Sequence, residues 1–280
     1  MTEKLIELQN KIYNYHNSSE FQYNLGFSPR ISFSKIGEFY EIIFYGEGYD
    51  DDFSIHSSQF EPGGFNFGFC AFQDFLIENP DKVISLIFSG PDAGANGTRD
   101  WNFSRIINSN VIFDNLKIFK VALTEVGDHN QSVIGEYGEE NGMIAKLTAK
   151  MPKIEELKLP SAPNEEFFKI QNPNIRHLTI QAGYGHQNFI ENLANSTNIT
   201  NLTSLDYAEP FDHFGDLEDD EFTSFESLKK LFASKVFSID NFHFKLRENR
   251  LNKEQLEELQ KINNIQLLHI KTESGKYVRM

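Results

Sequence analysis

A short apolar pattern recurs along this chain and limits the folds that it can adopt. In each copy, an apolar residue is followed three and five positions later by two more. The copies are Val83-Leu86-Phe88, Leu116-Phe119-Val121, Ile154-Leu157-Leu159, Ile175-Leu178-Ile180, Leu202-Leu205-Tyr207, Ile239-Phe242-Phe244 and Ile265-Leu268-Ile270, with a weaker one at Phe39-Ile42-Phe44. Alternation of the last two apolar residues is typical of a β-strand with one buried face. An apolar chain matches such a pattern several times by chance, so the context of the copies decides their meaning.

The segments that precede the copies favour a repeat. Several copies follow a turn that contains Pro or Asn, such as Pro152 and Pro173. Most also follow a helix-like stretch, at 73–78, 143–150, 189–194, 222–233 and 253–262. A helix followed by a short strand every twenty to forty residues is typical of a solenoid, in which stacked strands form a parallel sheet and no unit buries its apolar residues alone.

Two segments resemble the signature of the leucine-rich repeat family, a Pro-containing turn that leads into Leu-x-x-Leu-x-Leu. They are Met151-Pro152-Lys153-Ile154-Glu155-Glu156-Leu157-Lys158-Leu159 and Asn172-Pro173-Asn174-Ile175-Arg176-His177-Leu178-Thr179-Ile180. More narrowly, the chain is similar to the irregular cytoplasmic leucine-rich repeat proteins of bacteria. The resemblance implies an α/β solenoid with a parallel sheet on its concave face, helices outside and an N-terminal β cap. We therefore expect a cap at residues 1–60 and irregular repeats at residues 61–280.

One position departs from the family. The family usually places Asn three residues after the last strand position, where its amide binds neighbouring loop backbones. Those positions hold Pro91, Thr124, Ala162, Gly183, Pro210, Arg247 and Glu273, so other groups must satisfy these loops. In the cap, residues 30–34 and 38–45 predict a hairpin around Gly37, which would cover the first open edge of the sheet.

The resemblance also places side chains on the concave face. Residues between and just after the apolar strand positions point outward, and we expect the partner-binding ones to be Lys158, His177, Thr179, Gln181, Asp206, His243, Lys245, His269 and Lys271. The cationic and imidazole groups gather at His243, Lys245, His269 and Lys271. A contact patch for a partner and an ordinary solvated sheet face are both compatible with this pattern.

Acidic residues are concentrated in loops. The formal net charge is −15, and the stretches 36–81, 124–142 and 209–221 contain no Lys or Arg but 22 of the 41 acidic residues. The loops after Tyr45, Val121 and Tyr207 leave the same end of their strands, so they should align along one edge. We expect Asp50, Asp51, Asp52, Asp216, Asp219 and Asp220 to attract a basic partner there, although acids also serve solubility alone.

Charge and composition weigh against several functions. A strongly acidic chain is a poor ligand for nucleic acid or for an anionic membrane. The charged N-terminal segment and the absence of a long apolar run predict a cytoplasmic protein. The one cysteine, Cys70, excludes an internal disulfide. The glycine-rich loop at residues 90–97 lacks the Lys-Ser/Thr ending of a phosphate-binding loop, and Asp50–Asp52 do not match a calcium-binding loop, so we expect no cofactor and no metal.

The sequence therefore predicts a non-catalytic protein that binds another protein through its concave face and its acidic loop edge. The acidic loops favour a basic partner. An immunity or antitoxin protein that masks a cationic toxin would fit this description. Two alternatives stay open. One is a hydrolase that uses Asp206 with His243 or His269 across the sheet, and the other is a passive scaffold. The sequence does not predict an oligomeric state.

Overall fold

A nine-stranded sheet dominates the computed structural model, which describes residues 1–18, 28–48, 67–92, 97–125, 127–135, 139–183, 185–210, 217–238, 241–263 and 265–271. The strand order is β1-β2-β3-β5-β7-β8-β9-β10-β11. The bounds are β1 Arg30–Ile36, β2 Phe39–Tyr45, β3 Val83–Ser89, β5 Ile118–Val121, β7 Glu156–Leu159, β8 His177–Gln181, β9 Ser204–Ala208, β10 His243–Arg247 and β11 Gln266–Ile270. Strands β1 and β2 pair antiparallel and the other neighbours pair parallel.

Helices connect most of these strands and pack beside one another in chain order. They are α1 Thr2–His16, α2 Phe67–Glu78, α3 Ser104–Asn108, α4 Met143–Thr148, α5 Phe189–Asn195, α6 Phe225–Phe232 and α7 Lys253–Ile262, with 3-10 turns at Pro80–Lys82, Glu165–Lys169, Asp219–Glu221 and Lys235–Ser238. The last helix has an N-cap, because the Asn252 side chain accepts a hydrogen bond from the Gln255 amide.

Aromatic side chains join the helix layer to one face of the sheet. Phe72 of α2 stacks on Phe44 of β2, with ring centroids 5.3 Å apart. Farther along, Phe189 of α5 stacks on Tyr207 of β9 at 5.4 Å. Each such side chain removes a large apolar area from water. Buried apolar residues of the same core line the inner face along the sheet.

A second, two-stranded sheet lies outside this order. Strand β4, Gly97–Trp101, follows β3 in the chain and pairs parallel with β6, Asn130–Ile134, which follows β5. Trp101 is fully buried against Phe44, Phe69 and Phe88, and its indole N–H donates to Ser132 Oγ at 3.1 Å. This contact anchors the small sheet to the central core.

The structure confirms the α/β class, the mostly parallel sheet and the N-terminal hairpin. In the seven stronger copies, the first apolar residue is buried wherever it is described, at Val83, Leu116, Ile154, Ile175, Leu202 and Ile265, whereas Phe39 of the weaker copy is half-buried. Strand β2 of the hairpin pairs directly with β3, so the hairpin belongs to the same sheet as the strands that follow it. The boundary at residue 60 falls outside the described residues and stays a prediction.

The predicted register is wrong in the last two copies. Phe244, not Phe242, aligns with Leu205 on the inner face, a shift of two residues that leaves the faces unchanged. In β11, Leu267 aligns with Phe244, a shift of one residue that exchanges the two faces of the strand. Leu268, predicted to be buried, is therefore 55% exposed.

Candidate functional site

The face of the central sheet opposite the helices carries polar and charged side chains, and we call it the open face. Residues paired between parallel strands point to the same side, so the pairing identifies its members on β5 to β11. Twelve of them are Lys120, Glu156, Lys158, His177, Thr179, Ser204, Asp206, His243, Lys245, Arg247, Gln266 and Leu268, and the same pairing adds Ile118, Gln181, Ala208 and Ile270. All twelve are half-buried or exposed, whereas their inner-face neighbours Leu157, Leu178, Leu205 and Phe244 are buried.

A groove of about 440 Å³ crosses the open face between β8 and β11. Its polar lining includes four of the predicted partner-binding residues, Thr179, Asp206, His243 and Lys245. The exposed Leu268 adds apolar surface at the β11 end. A cleft that combines a few polar groups with apolar surface is suited to holding another molecule.

Ion pairs within the open face involve its acids. Asp206 Oδ1 lies 2.6 Å from Arg247 Nε, and its Oδ2 lies 3.2 Å from Lys245 Nζ on the paired residue of β10. Glu156 pairs in the same way with Lys120, at 2.8 Å. On β5 to β11, the open face thus carries four Lys or Arg side chains and two carboxylates. Its net charge is positive, whereas the net charge of the whole chain is negative.

Two other predicted residues lie on the open face beside the groove. His177 is exposed, and its Nδ1 lies 2.8 Å from Ser204 Oγ. Lys158 is half-buried at the corresponding position of β7. The sequence therefore located six of its predicted contact residues on one surface, although their role in binding stays a prediction.

The structure corrects the placement of three predicted contact residues. Gln181 is buried, and its amide accepts from the Thr124 amide at 2.8 Å and donates to the Thr124 carbonyl at 3.0 Å, so it holds a loop. The β11 register places His269 on the inner face, beside Leu246, and not outward. Lys271 is exposed, one residue beyond the end of β11, so it lies off the strand.

Buried polar side chains bind backbone groups in the loop region where the leucine-rich repeat family would use Asn. Besides Gln181, Ser161 Oγ accepts a hydrogen bond from the Ile134 amide at 2.8 Å. Glu209 accepts from Asn249 at 2.7 Å and from the Thr223 amide at 3.2 Å. Burial raises the pKa of Glu209. These groups satisfy the backbone amides of Thr124, Ile134 and Thr223.

The acidic loops follow the carboxyl ends of parallel strands, as the sequence predicted, and we call this side of the sheet the acidic edge. Its exposed or half-buried acids include Glu125, Asp128, Glu139, Glu218, Asp219, Asp220 and Glu221. Asp219 forms an ion pair with Arg250 at 2.6 Å, whereas Asp220 is exposed. The predicted Asp50, Asp51, Asp52 and Asp216 lie outside the described residues.

A partly buried cluster of charges lies at the start of the acidic edge. Burial raises the pKa of Glu47 to about 7, the Arg99 guanidinium opposes this shift, and the Asp92 carboxylate adds to it. Arg99 is buried, and its Nη1 donates to the Pro91 carbonyl at 2.6 Å. For Asp92, burial favours the neutral acid, but hydrogen bonds from His129 and Asn130 outweigh it and lower the pKa. The sequence did not predict this cluster, because its residues come from three loops that are far apart in the chain and share no local pattern.

In the described part of the chain, no three His, Cys, Asp or Glu side chains lie close enough together to hold a metal ion. A second cleft, of about 310 Å³, is lined mainly by polar residues, among them Glu139, Asn164 and Gln187. No described helix combines the length and the apolar composition needed to cross a lipid bilayer.

Comparison with known proteins adds no relative. No family model matches the chain, and no curated protein or solved structure matches it either. The resemblance to leucine-rich repeats therefore depends on the residues of this chain alone.

Proposed function

We propose that this chain is a leucine-rich-repeat-type solenoid that binds another protein and does not catalyse a reaction. The observation that carries the proposal is the groove on the open face, because four residues that the repeat pattern placed there line it together. The helices pack beside one another in the same order as the strands that they connect, which supports stacked repeats.

The acidic edge favours a basic partner. Seven described acids are exposed or half-buried on that side, and the chain has a formal charge of −15. Such a field accelerates the association of a positively charged protein and weakens as salt shortens the Debye length. An immunity or antitoxin protein that masks a basic toxin is one form of this proposal.

The arrangement of Asp206 supports binding more than hydrolysis. Its carboxylate already accepts from Lys245 and Arg247, and His269 lies on the other face of the sheet. A general base needs a hydrogen bond to the group that it activates, and Asp206 cannot reach His269 through the sheet. His243 lies in the same groove as Asp206, so this argument opposes only the form of the hydrolase that uses His269.

A matched pair of charge reversals tests the open face. We expect Lys158→Glu to weaken binding of a partner captured from cells of the source organism by tenfold or more. Lys153→Glu makes the same change of charge at an exposed residue just before β7, and it should bind as the wild type does. Binding by calorimetry would contradict the proposal if both variants bound equally well.

A second pair tests the acidic edge. We expect the triple variant Glu125→Gln, Glu139→Gln and Asp220→Asn to slow association with the same partner and to flatten its dependence on salt. The control triple Glu3→Gln, Glu7→Gln and Glu254→Gln removes the same charge from exposed helix positions. Equal slowing by the two triples in stopped-flow experiments would show that only net charge matters.

A further inference from the structure

The two ends of the central sheet differ in charge. The outer strand β1 carries Arg30 and Lys35, and α1 packs beside it. Strand β11, with the sequence QLLHI, carries no Asp, Glu, Lys or Arg, and among the described residues it pairs only with β10. Charged residues on an edge strand oppose pairing with another chain, so β11 lacks a protection that β1 has.

Part of the backbone of β11 points away from β10, its one partner strand among the described residues. The Gln266 amide donates to the Phe242 carbonyl at 3.2 Å, and the Ile270 carbonyl accepts from the Glu248 amide at 2.9 Å. Residues 266, 268 and 270 therefore turn their backbone groups toward β10. Because direction alternates along a strand, the amides and carbonyls of Leu267 and His269 face away from the sheet.

Apolar side chains are also left open at this end. Leu268 is 55% exposed and Ile262 of α7 is 39% exposed. Helix α7 buries only Leu259, whereas α6, which packs between two helices, buries three residues. Within the described ranges, no further strand pairs with β11 and covers this end of the sheet.

We propose that two copies of this chain associate through β11, paired antiparallel about a two-fold axis at Leu268. Each Leu267 then exchanges two backbone hydrogen bonds with His269 of the partner subunit. On each strand, these bonds satisfy the four outward groups, which are the amides and carbonyls of Leu267 and His269. Leu268 faces Leu268 of the partner subunit in a non-hydrogen-bonded pair, where Cα atoms lie about 4.5 Å apart. The contact is isologous, so it closes after two copies.

A second copy is the occupant that best fits this edge. The outward backbone groups of β11 are symmetric about Leu268, so an identical strand matches their number and spacing. The strand has no charge to repel its own copy, although the chain as a whole is strongly acidic. The charged β1 edge disfavours a head-to-tail contact of β1 with β11, which would build open fibres.

Sedimentation equilibrium tests the proposal, with the full chain at concentrations from 1 to 100 μM, on the order at which specific homodimers form. We expect a mass twice that of the 32.3 kDa chain. Leu268→Asp places two carboxylates opposite each other and should give a monomer with an unchanged circular dichroism spectrum. Ile36→Asp changes an equally exposed residue of β1 and should leave the dimer intact.

A cross-link tests the axis itself. Oxidation of Leu268→Cys should give a covalent dimer, because a Cα separation of about 4.5 Å falls within the range of disulfides. Ile36→Cys is the control and should stay monomeric on a denaturing gel. A monomer at every concentration would overturn the proposal, and so would a dimer that tolerates Leu268→Asp. If a strand of another protein covers this edge instead, the purified chain will be a monomer, and the proposal fails.

Discussion

The two ends of the central sheet are covered by other elements to different extents. At the amino-terminal end, the hairpin β1–β2 is packed by α1 and α2, and rings of Phe44, Phe69, Phe88 and Trp101 contact one another beneath it. At the carboxyl-terminal end, β11 is neutral and α7 buries one residue. A stack of strands has two ends, and only one of them is closed by the described part of this chain.

The comparison implies an uneven distribution of stability. Units with many buried contacts open only with the whole molecule, whereas units with few contacts open locally at lower cost. We therefore expect β2 and β3 to be among the most stable strands, and α7 with β11 to be the first unit to open.

Removal of an aromatic ring from the closed end should have the largest effect. Phe88 contacts six other rings, including Phe103 and Phe119, so Phe88→Ala should lower the free energy of unfolding by about 3–5 kcal/mol. Leu256→Ala, at a half-buried position of α7, should cost less than about 2 kcal/mol, because its site is open to water. Urea unfolding measures both. Similar losses would contradict the contrast between the ends.

Neutralisation of Glu47 should stabilise the closed end in a pH-dependent way. Burial raises the pKa of Glu47 from 4.5 to about 7, so its protonated form contributes stability that is present below pH 4.5 and is lost as the pH rises through 7. Glu47→Gln should therefore raise the free energy of unfolding by about 2–3 kcal/mol at pH 8 and change it little at pH 4. Exposed Glu38→Gln is the control and should show no such trend.

Loss of a buried amide should disturb the middle of the acidic edge. Asn249→Ala removes the donor to Glu209 Oε1 in a fully buried network, so it should cost about 2 kcal/mol. It should also raise the pKa of Glu209 further, so the cost should shrink at low pH, where the carboxyl is protonated. Thermal unfolding over a series of pH values would show the difference, and a cost independent of pH would contradict this reading.

The smallest effect is expected at the open end. Asn252→Ala removes the N-cap of α7 and should cost about 1 kcal/mol. Hydrogen exchange should quicken in α7 and β11 while amides of β2 and β3 keep their rates. Uniform quickening along the sheet would show that the last unit opens only with the whole molecule.

Much of the fold was predictable from the sequence, because its cause is local. Strand alternation in the hairpin and turn residues before Ile154 and Ile175 specify where strands begin and which face is apolar. The last register was not predictable. Leu267 and Leu268 are both apolar, so the pattern fits either face, and pairing with Phe244 selected Leu267. His269 was therefore placed on the wrong side.

The candidate site divides in the same way. The resemblance to leucine-rich repeats implied that Thr179, Asp206, His243 and Lys245 share one surface, and in the structure they line one groove. The partners of the buried polar groups were not predictable, since Gln181 binds a loop 57 residues away and Asn249 binds Glu209 from 40 residues away.

The sequence by itself determined the class of elements, their order and the buried face of most strands, because backbone geometry alternates side chains over one or two residues. Only the tertiary structure decided which loops share a polar partner, how the last strand is aligned and which end of the sheet stays open. Those outcomes depend on contacts between residues that are distant in the chain, and no local sequence pattern predicts the free energy of such contacts.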